Sequence, residues 1–249
     1  MRTPDRSPIL TAPPSIRRQW VREAFHGIAA RYDLLNHLLS AGIHLRWKRA
    51  AVRAAGLGPG DRAVDICCGT ADMLVGLARL TGASGRAVGV DFAPGMLALA
   101  ARRLSGTSGA AGAALVCGDA EALPLRAASV DAATFAFGLR NVPRPEQALR
   151  EARRVLRPGG RLVVLEFGQP RARALRIAYD LYSRTVIPRL GGWLSGRPDA
   201  YRYLHDSIRR WADPDRLAAQ IREAGFADVR YRLLSGGIAV LHTGVKPHG

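Results

Sequence analysis

Three acid-bearing turns follow one another in this chain: VDICCGTAD from Val64 to Asp72, VGVDF from Val88 to Phe92, and VCGDAE from Val116 to Glu121. Each sets a short apolar strand before small residues and a carboxylate. In a nucleotide-binding half-sheet, such a strand runs through a small-residue turn into a helix, and the turn brings backbone N–H groups up to an adenosine-bearing ligand. Asp91, closing the second strand, is then in reach of ribose hydroxyls. Asp119 can accept from the exocyclic amine of an adenine while the N–H of Ala120 donates to a ring nitrogen.

The glycine pattern narrows the ligand. A pyrophosphate on a helix N-terminus wants G-x-G-x-x-G, and here Gly69 stands alone among Cys67, Cys68, Thr70 and Ala71. S-adenosylmethionine carries adenosine without phosphate. Its binders can keep an acid before the turn (Asp65), one glycine at closest approach (Gly69) and an acid after the second strand. The expected cofactor is therefore S-adenosyl-L-methionine, contacted by Asp91, Asp119 and Ala120, with Asp65 and Gly69 shaping the turn. A generic series of α/β turns with surface acids is the alternative, and three sites in register speak against it.

Strands and helices must alternate to hold these turns. The pattern predicts strands at 63–67, 86–91, 114–117, 130–137 and 161–167, with helices ending at Leu80 and spanning 94–104 and 145–156. Such alternation gives a doubly wound, mostly parallel, Rossmann-like α/β sheet, as in class I S-adenosylmethionine-dependent methyltransferases, with ligand at the carboxyl ends of the strands. Ahead of it, 20–55 reads as helices interrupted near Ser40 to Gly42. Residues 170–212 read as a helical, aromatic insertion broken at Pro188, Gly191, Gly192 and Pro198, placed to lie over the strand ends as a lid. A last helix at 214–224 and strands near 229–234 and 238–245 complete one domain over 20–249. Residues 1–19 hold four prolines and no apolar core of signal-peptide length, and read as a flexible arm.

Composition sets limits on partners. No apolar run reaches the roughly 18 residues of a membrane span, and a cytoplasmic protein is expected. The formal charge is +17, from 37 basic residues of which only Lys48 and Lys246 are lysines. A solvated arginine-rich surface, attraction to an anionic membrane face and attraction to nucleic acid all remain open on charge alone. Three cysteines form no disulfide framework and have no metal-ligand spacing, so they read as small buried residues and no metal is expected.

Three segments are more specific than the fold. YDLLNHLLSAGIHLRW (Tyr32 to Trp47), FGLRNV (Phe137 to Val142) and RVLRPGGRLVVLEF (Arg154 to Phe167), with YRYLHDSI in the insertion, closely resemble the C-methyltransferases of ubiquinone and menaquinone biosynthesis. The resemblance covers roughly residues 20 to 246, with small departures at Leu35, Arg157 and Gly168. It implies transfer of a methyl group from S-adenosylmethionine to a ring carbon of a prenylated quinol. It also carries cofactor contacts onto Thr70, Asp91, Asp119 and Ala120. The CCGTAD turn looks like the menaquinone branch, so demethylmenaquinol is the expected substrate, with the equivalent benzoquinol of the ubiquinone route as the alternative. The implied substrate partner is the quinol; a transient contact with the inner membrane face is expected from the basic surface and the helical insertion, and a homodimer is one oligomeric state left open.

Methyl transfer to a quinol needs near-attack geometry, a group to steady the developing phenolate and a path for its proton. Arg140 and Asn141, just past the fourth strand, are the candidate catalytic pair; loop structure is their other reading. His44 and His205 are candidate bases, with a structural role competing for each. Tyr32 and Asp33 either close over the cofactor or cap and pack their helix. Glu166 either meets the lid or substrate or pairs with an arginine. No nucleic-acid substrate is expected, because FGLRNVP has no Pro-Pro-aromatic run and Cys117 is followed by Gly118 rather than sitting beside a proline. A non-catalytic cofactor-binding subunit is the remaining rival, and the intact acids and FGLRNV count against it.

Overall fold

The computed structural model describes residues 9, 11–195, 198–211 and 213–248, with the side chains of 25–32, 35–36, 39, 186–195, 198–202 and 204–205 outside the description. Two helices come first, α1 (Pro14–Leu39) and α2 (Ile43–Ala54), separated where the sequence breaks at Ser40 to Gly42. Of the arm expected over 1–19, residues 14–19 belong to α1, and residues 1–8 and 10 lie outside the described residues. Proline at a first helical position forfeits no hydrogen bond, and buried Val21 and Ala24 anchor the helix. Burial outweighs the proline count.

Seven strands follow: β1 (Arg62–Ile66), β2 (Arg86–Asp91), β3 (Ala113–Cys117), β4 (Val130–Ala136), β5 (Leu156–Phe167), β6 (Ala227–Leu234) and β7 (Ala239–Val245). They form one sheet in the order β3-β2-β1-β4-β5-β7-β6. Pairing is parallel from β3 to β5, while β7 runs antiparallel to β5 and β6. The parallel strands are covered on both faces, which is why 63–66, 132–135 and 162–165 are near-unbroken apolar or small runs. Helices α3 (Asp72–Thr81), α4 (Pro94–Ser105), α5 (Pro145–Val155) and α8 (Pro214–Glu223) supply the layers. One core cluster joins Phe135, Leu149, Leu162 and Ile221; the other joins Trp47, Leu74, Leu77 and Leu165. The strand order reverses between β1 and β4, the crevice where doubly wound sheets bind ligands.

The insertion forms α6 (Arg173–Ser195) and α7 (Pro198–Trp211), which pack on each other, with α6 also against α1. The break expected at Pro188, Gly191 and Gly192 does not end α6. A proline inside a helix removes one hydrogen bond and can bend the helix without stopping it.

Candidate cofactor cleft and active site

At the carboxyl ends of β1, β2 and β4 lies a cleft whose lining includes Gly69, Asp91, Met96, Asp119, Phe137 and Asn141, with Arg18 and Val21 contributed by α1. Strand register places the acids. Asp91 pairs with Cys117 at the ends of β2 and β3, so the second and third turns open side by side. Asp91 is buried, and its two carboxylate oxygens accept the N–H groups of Gly69 at 2.8 Å and Ala93 at 2.9 Å. Burial raises its pKa, and those N–H donors with Phe92 oppose the rise. Each oxygen keeps a second lone pair for a hydroxyl. Gly69 has φ 53°, and an added Cβ would meet nothing within 4 Å, so its backbone faces open cleft.

Asp119 accepts the N–H of Glu121 at 2.9 Å and pairs with Arg18 at 3.2 Å, while Ala120 is buried beside it on the cleft wall. Glu121 is a residue that sequence reasoning missed. Buried, it holds Arg18 at 3.0 Å and Arg144 at 2.7 Å, tying α1 to the loop before α5. Arg18 lay within the expected arm; the apolar spacing of Ile16, Trp20, Val21 and Ala24 was the signal that the helix starts earlier.

Thr70 does not line the cleft. Its hydroxyl donates to Asp33 at 2.7 Å, and Asp33 also pairs with Arg103, itself paired with Asp72. The α1 helix is therefore latched across the glycine turn through Asp33. Tyr32 lies outside the described side chains.

Asp65, expected to touch or shape the cofactor site, sits beneath the turn and off the cleft lining. It is 1% exposed and accepts from Thr134 Oγ1 at 2.7 Å. Burial pushes its pKa up to about 7, against the Thr134 bond and Lys48. A carboxyl raised in the folded state holds its proton where the unfolded chain has released it. Stability on its account is full below the ordinary value of 3.8 and declines as pH rises through about 7. Asp65→Asn is expected to remove that decline: the unfolding free energy of the variant relative to the parent, read by urea titration, should rise between about pH 4 and pH 7 and then level off, a swing of about 2 to 4 kcal/mol. A difference that does not change with pH would show that Asp65 is ionised throughout.

The FGLRN segment forms a tight turn after β4. Phe137 takes φ 58°, a left-handed conformation uncommon for a bulky residue, and the turn holds it there from several sides. Its N–H donates to Leu165 at 2.8 Å, and its carbonyl accepts from the Arg140 guanidinium. Arg140 is buried and pairs with buried Glu166 at 2.9 Å, and Glu166 also accepts the backbone N–H groups of Arg140 and Phe167 at 3.2 Å each. The guanidinium carbon lies 5.1 Å from the Phe167 ring centroid. Of the expected catalytic pair, only Asn141 lines the cleft. Its Oδ1 accepts from buried Tyr203 of α7 at 3.2 Å, and the Tyr203 ring packs tilted against Trp20 of α1, centroids 4.9 Å apart.

His44 is not at the cleft. Its Nδ1 meets the Ser40 hydroxyl at 2.6 Å, and burial, then Lys48, lowers its pKa to about 4. His205, Trp193 and Tyr201 fall outside the described side chains. Cys68 is buried and Cys67 half-buried, but Cys117, expected to be buried, is exposed at the end of β3 because that strand is the sheet edge. Among the described residues no His, Cys, Asp or Glu cluster could hold a metal.

Residues 14–246 match the model of the ubiE/COQ5 methyltransferase family. The chain belongs to this family. A ubiquinone/menaquinone biosynthesis C-methyltransferase UbiE of Pseudomonas paraeruginosa is 43% identical over 235 residues, 94% of this chain and 92% of that protein. The protein of the same name from Cellvibrio japonicus is 42% identical over 94% of each. Among solved structures, an S-adenosylmethionine-dependent methyltransferase of Thermotoga maritima, described as a possible histamine N-methyltransferase, aligns with TM-score 0.63 at 24% identity over 90% of this chain and 99% of that one. The cyclase SpnF aligns with TM-score 0.66 at 18% identity over 92% and 96%. At those identities the likeness is one of fold: a class I Rossmann-like methyltransferase. The cofactor of this ubiE/COQ5 member is S-adenosylmethionine, and the cleft suits it. Val90, Phe92 and Met96 give apolar surface beside two carboxylates, and the one cation on the lining among the described residues, Arg18, is already matched by Asp119 and Glu121.

Proposed function

We propose that this protein methylates a ring carbon of a prenylated quinol in quinone biosynthesis. The observation that carries this reading is the 43% identity, across nearly the whole chain, to an enzyme named for that reaction. The relatives' name joins ubiquinone and menaquinone, so it admits the methoxylated benzoquinol of the one route, which we take first, as well as the demethylmenaquinol expected from the turn at Cys67 to Asp72. Demethylmenaquinol stands as the second reading on the strength of that turn. Both rings carry hydroxyls para to each other, so one arrangement of side chains serves either.

When bound, S-adenosylmethionine supplies an electrophilic methyl on a cationic sulfur. Asp91 would hold the ribose, Asp119 and Ala120 the adenine, and Gly69 the open turn, with Thr70 latching α1 across it. Asn141 is the proposed catalytic residue. Its Oδ1 is taken by Tyr203, while its Nδ2 reaches the Phe137 carbonyl only at 3.5 Å, a marginal bond. That amide has a donor to offer a phenolate oxygen. Arg140 acts as a positioning residue, through its hold on Phe137. The α6–α7 insertion forms the lid over the ring.

The test supplies labelled S-adenosylmethionine with a short-tailed methoxy-benzoquinol or demethylmenaquinol and follows label into the ring. The expected result is transfer, to the benzoquinol at least as fast as to the naphthoquinol. Cofactor binding without transfer to either quinol would identify a non-catalytic subunit instead.

A further inference from the structure

All the large apolar side chains found well exposed among the described residues lie on two neighbouring helices: Ile16, Leu34 and Leu38 on α1, and Leu175, Ile177 and Leu181 on α6. On α6 the exposure is unusual in kind. Every residue from Arg173 to Ala178 is exposed, although Leu175, the least exposed of the three apolar side chains, lies against Gly236. An amphipathic surface helix ordinarily turns its apolar stripe inward. Here Ile177 is 60% and Leu181 62% exposed, one turn apart on the same side.

The charges around them are of one sign. Arg173, Arg176 and Arg184 are exposed on the same helix, and the one acid on its described side chains, Asp180, is paired with Arg184 at 2.8 Å. The chain as a whole carries +17. Exposed Leu and Ile set among arginines match the acyl boundary and the anionic headgroups of a bilayer. Among the described residues no helix is long and apolar enough to cross a membrane, so contact through this helix lies along the surface.

We infer that the outer face of α6, through Ile177 and Leu181 with Arg173 and Arg176, docks on an anionic lipid bilayer. Docked this way, the lid faces the membrane, and a substrate with a prenyl tail passes under it without crossing water; this consequence, unlike the docking itself, rests on the quinol reading.

The experiment is flotation of the full chain with phosphatidylglycerol–phosphatidylcholine vesicles and with phosphatidylcholine alone, at low and high salt. The parent protein is expected to float with the anionic vesicles at low salt and much less with the neutral ones. Ile177→Gln with Leu181→Gln should weaken anionic-vesicle binding roughly tenfold. Arg173→Gln with Arg176→Gln should weaken it by a similar factor and remove most of its salt dependence. Both variants should keep cofactor affinity and keep turnover on a tail-free, water-soluble quinol while slowing on quinol embedded in vesicles. Equal flotation of parent and variants, or no flotation of the parent, overturns the inference. So does light scattering that shows a dimer of the parent turned to monomer by Ile177→Gln with Leu181→Gln, which would make the face a contact between copies. Intact flotation with no turnover on any quinol would leave the docking standing and remove the proposed function.

Discussion

Arg140→Ala is expected to lower stability by about 3 to 5 kcal/mol, because it strands the Glu166 carboxylate in the interior without its cation. Glu166 is 1% exposed, and the guanidinium is its salt-bridge partner. The same change removes the guanidinium donor from the Phe137 carbonyl, so the left-handed turn at the cleft wall loses a tether. Urea unfolding reads the stability; an unchanged midpoint would mean the pair is not formed. Because the single variant confounds folding with catalysis, Arg140→Gln with Glu166→Gln is the informative companion. It removes both charges and keeps an acceptor for the Arg140 and Phe167 N–H groups, and replacing a buried pair by a neutral one is often nearly free of cost. That double variant should bind the cofactor nearly as the parent does and turn over roughly 100-fold more slowly, with no recovery at high pH. Partial recovery at high pH would instead show Arg140 acting directly on the phenolate, since raising pH makes substrate ionisation easier.

Asp91→Ala should weaken S-adenosylmethionine binding at least about tenfold, from the loss of charge-assisted hydrogen bonds worth roughly 1.5 to 3 kcal/mol. The structure adds a second route to the same loss. The carboxylate also holds Gly69 and Ala93 by their N–H groups, so alanine loosens the turn that faces the cleft. Asp91→Asn separates the two, because its one carbonyl oxygen keeps at most part of the tether and carries no charge. Calorimetry should place the asparagine variant between parent and alanine. Alanine-level loss in both would put the effect in charge alone, and parental affinity in the alanine variant would remove Asp91 from the ribose.

What the sequence by itself determined is local in origin. Apolar runs buried on two faces marked the parallel strands, small residues and acids at their ends marked the turns, and β2 was legible to the residue at Arg86 to Asp91. Asp91, Asp119, Gly69 and Asn141 were legible as cleft residues because a strand end places the residue after it wherever the sheet goes. Tertiary structure decided what those patterns leave free. Arg140 read as a catalytic candidate or as loop structure, and which arginine Glu166 would meet was open, until the fold set the two side by side, 26 positions apart in the chain. Arg18 and Glu121 meet across 103 positions only because α1 folds back over the β3 end of the sheet. Asp65 reads like any turn acid, and only its enclosure beneath the glycine turn pushes its pKa toward neutrality. Buried charges choose their partners through packing, and helices show which face they leave to water only once packed. Neither a helix's outer face nor an ion pair between distant segments is written in any short window of residues.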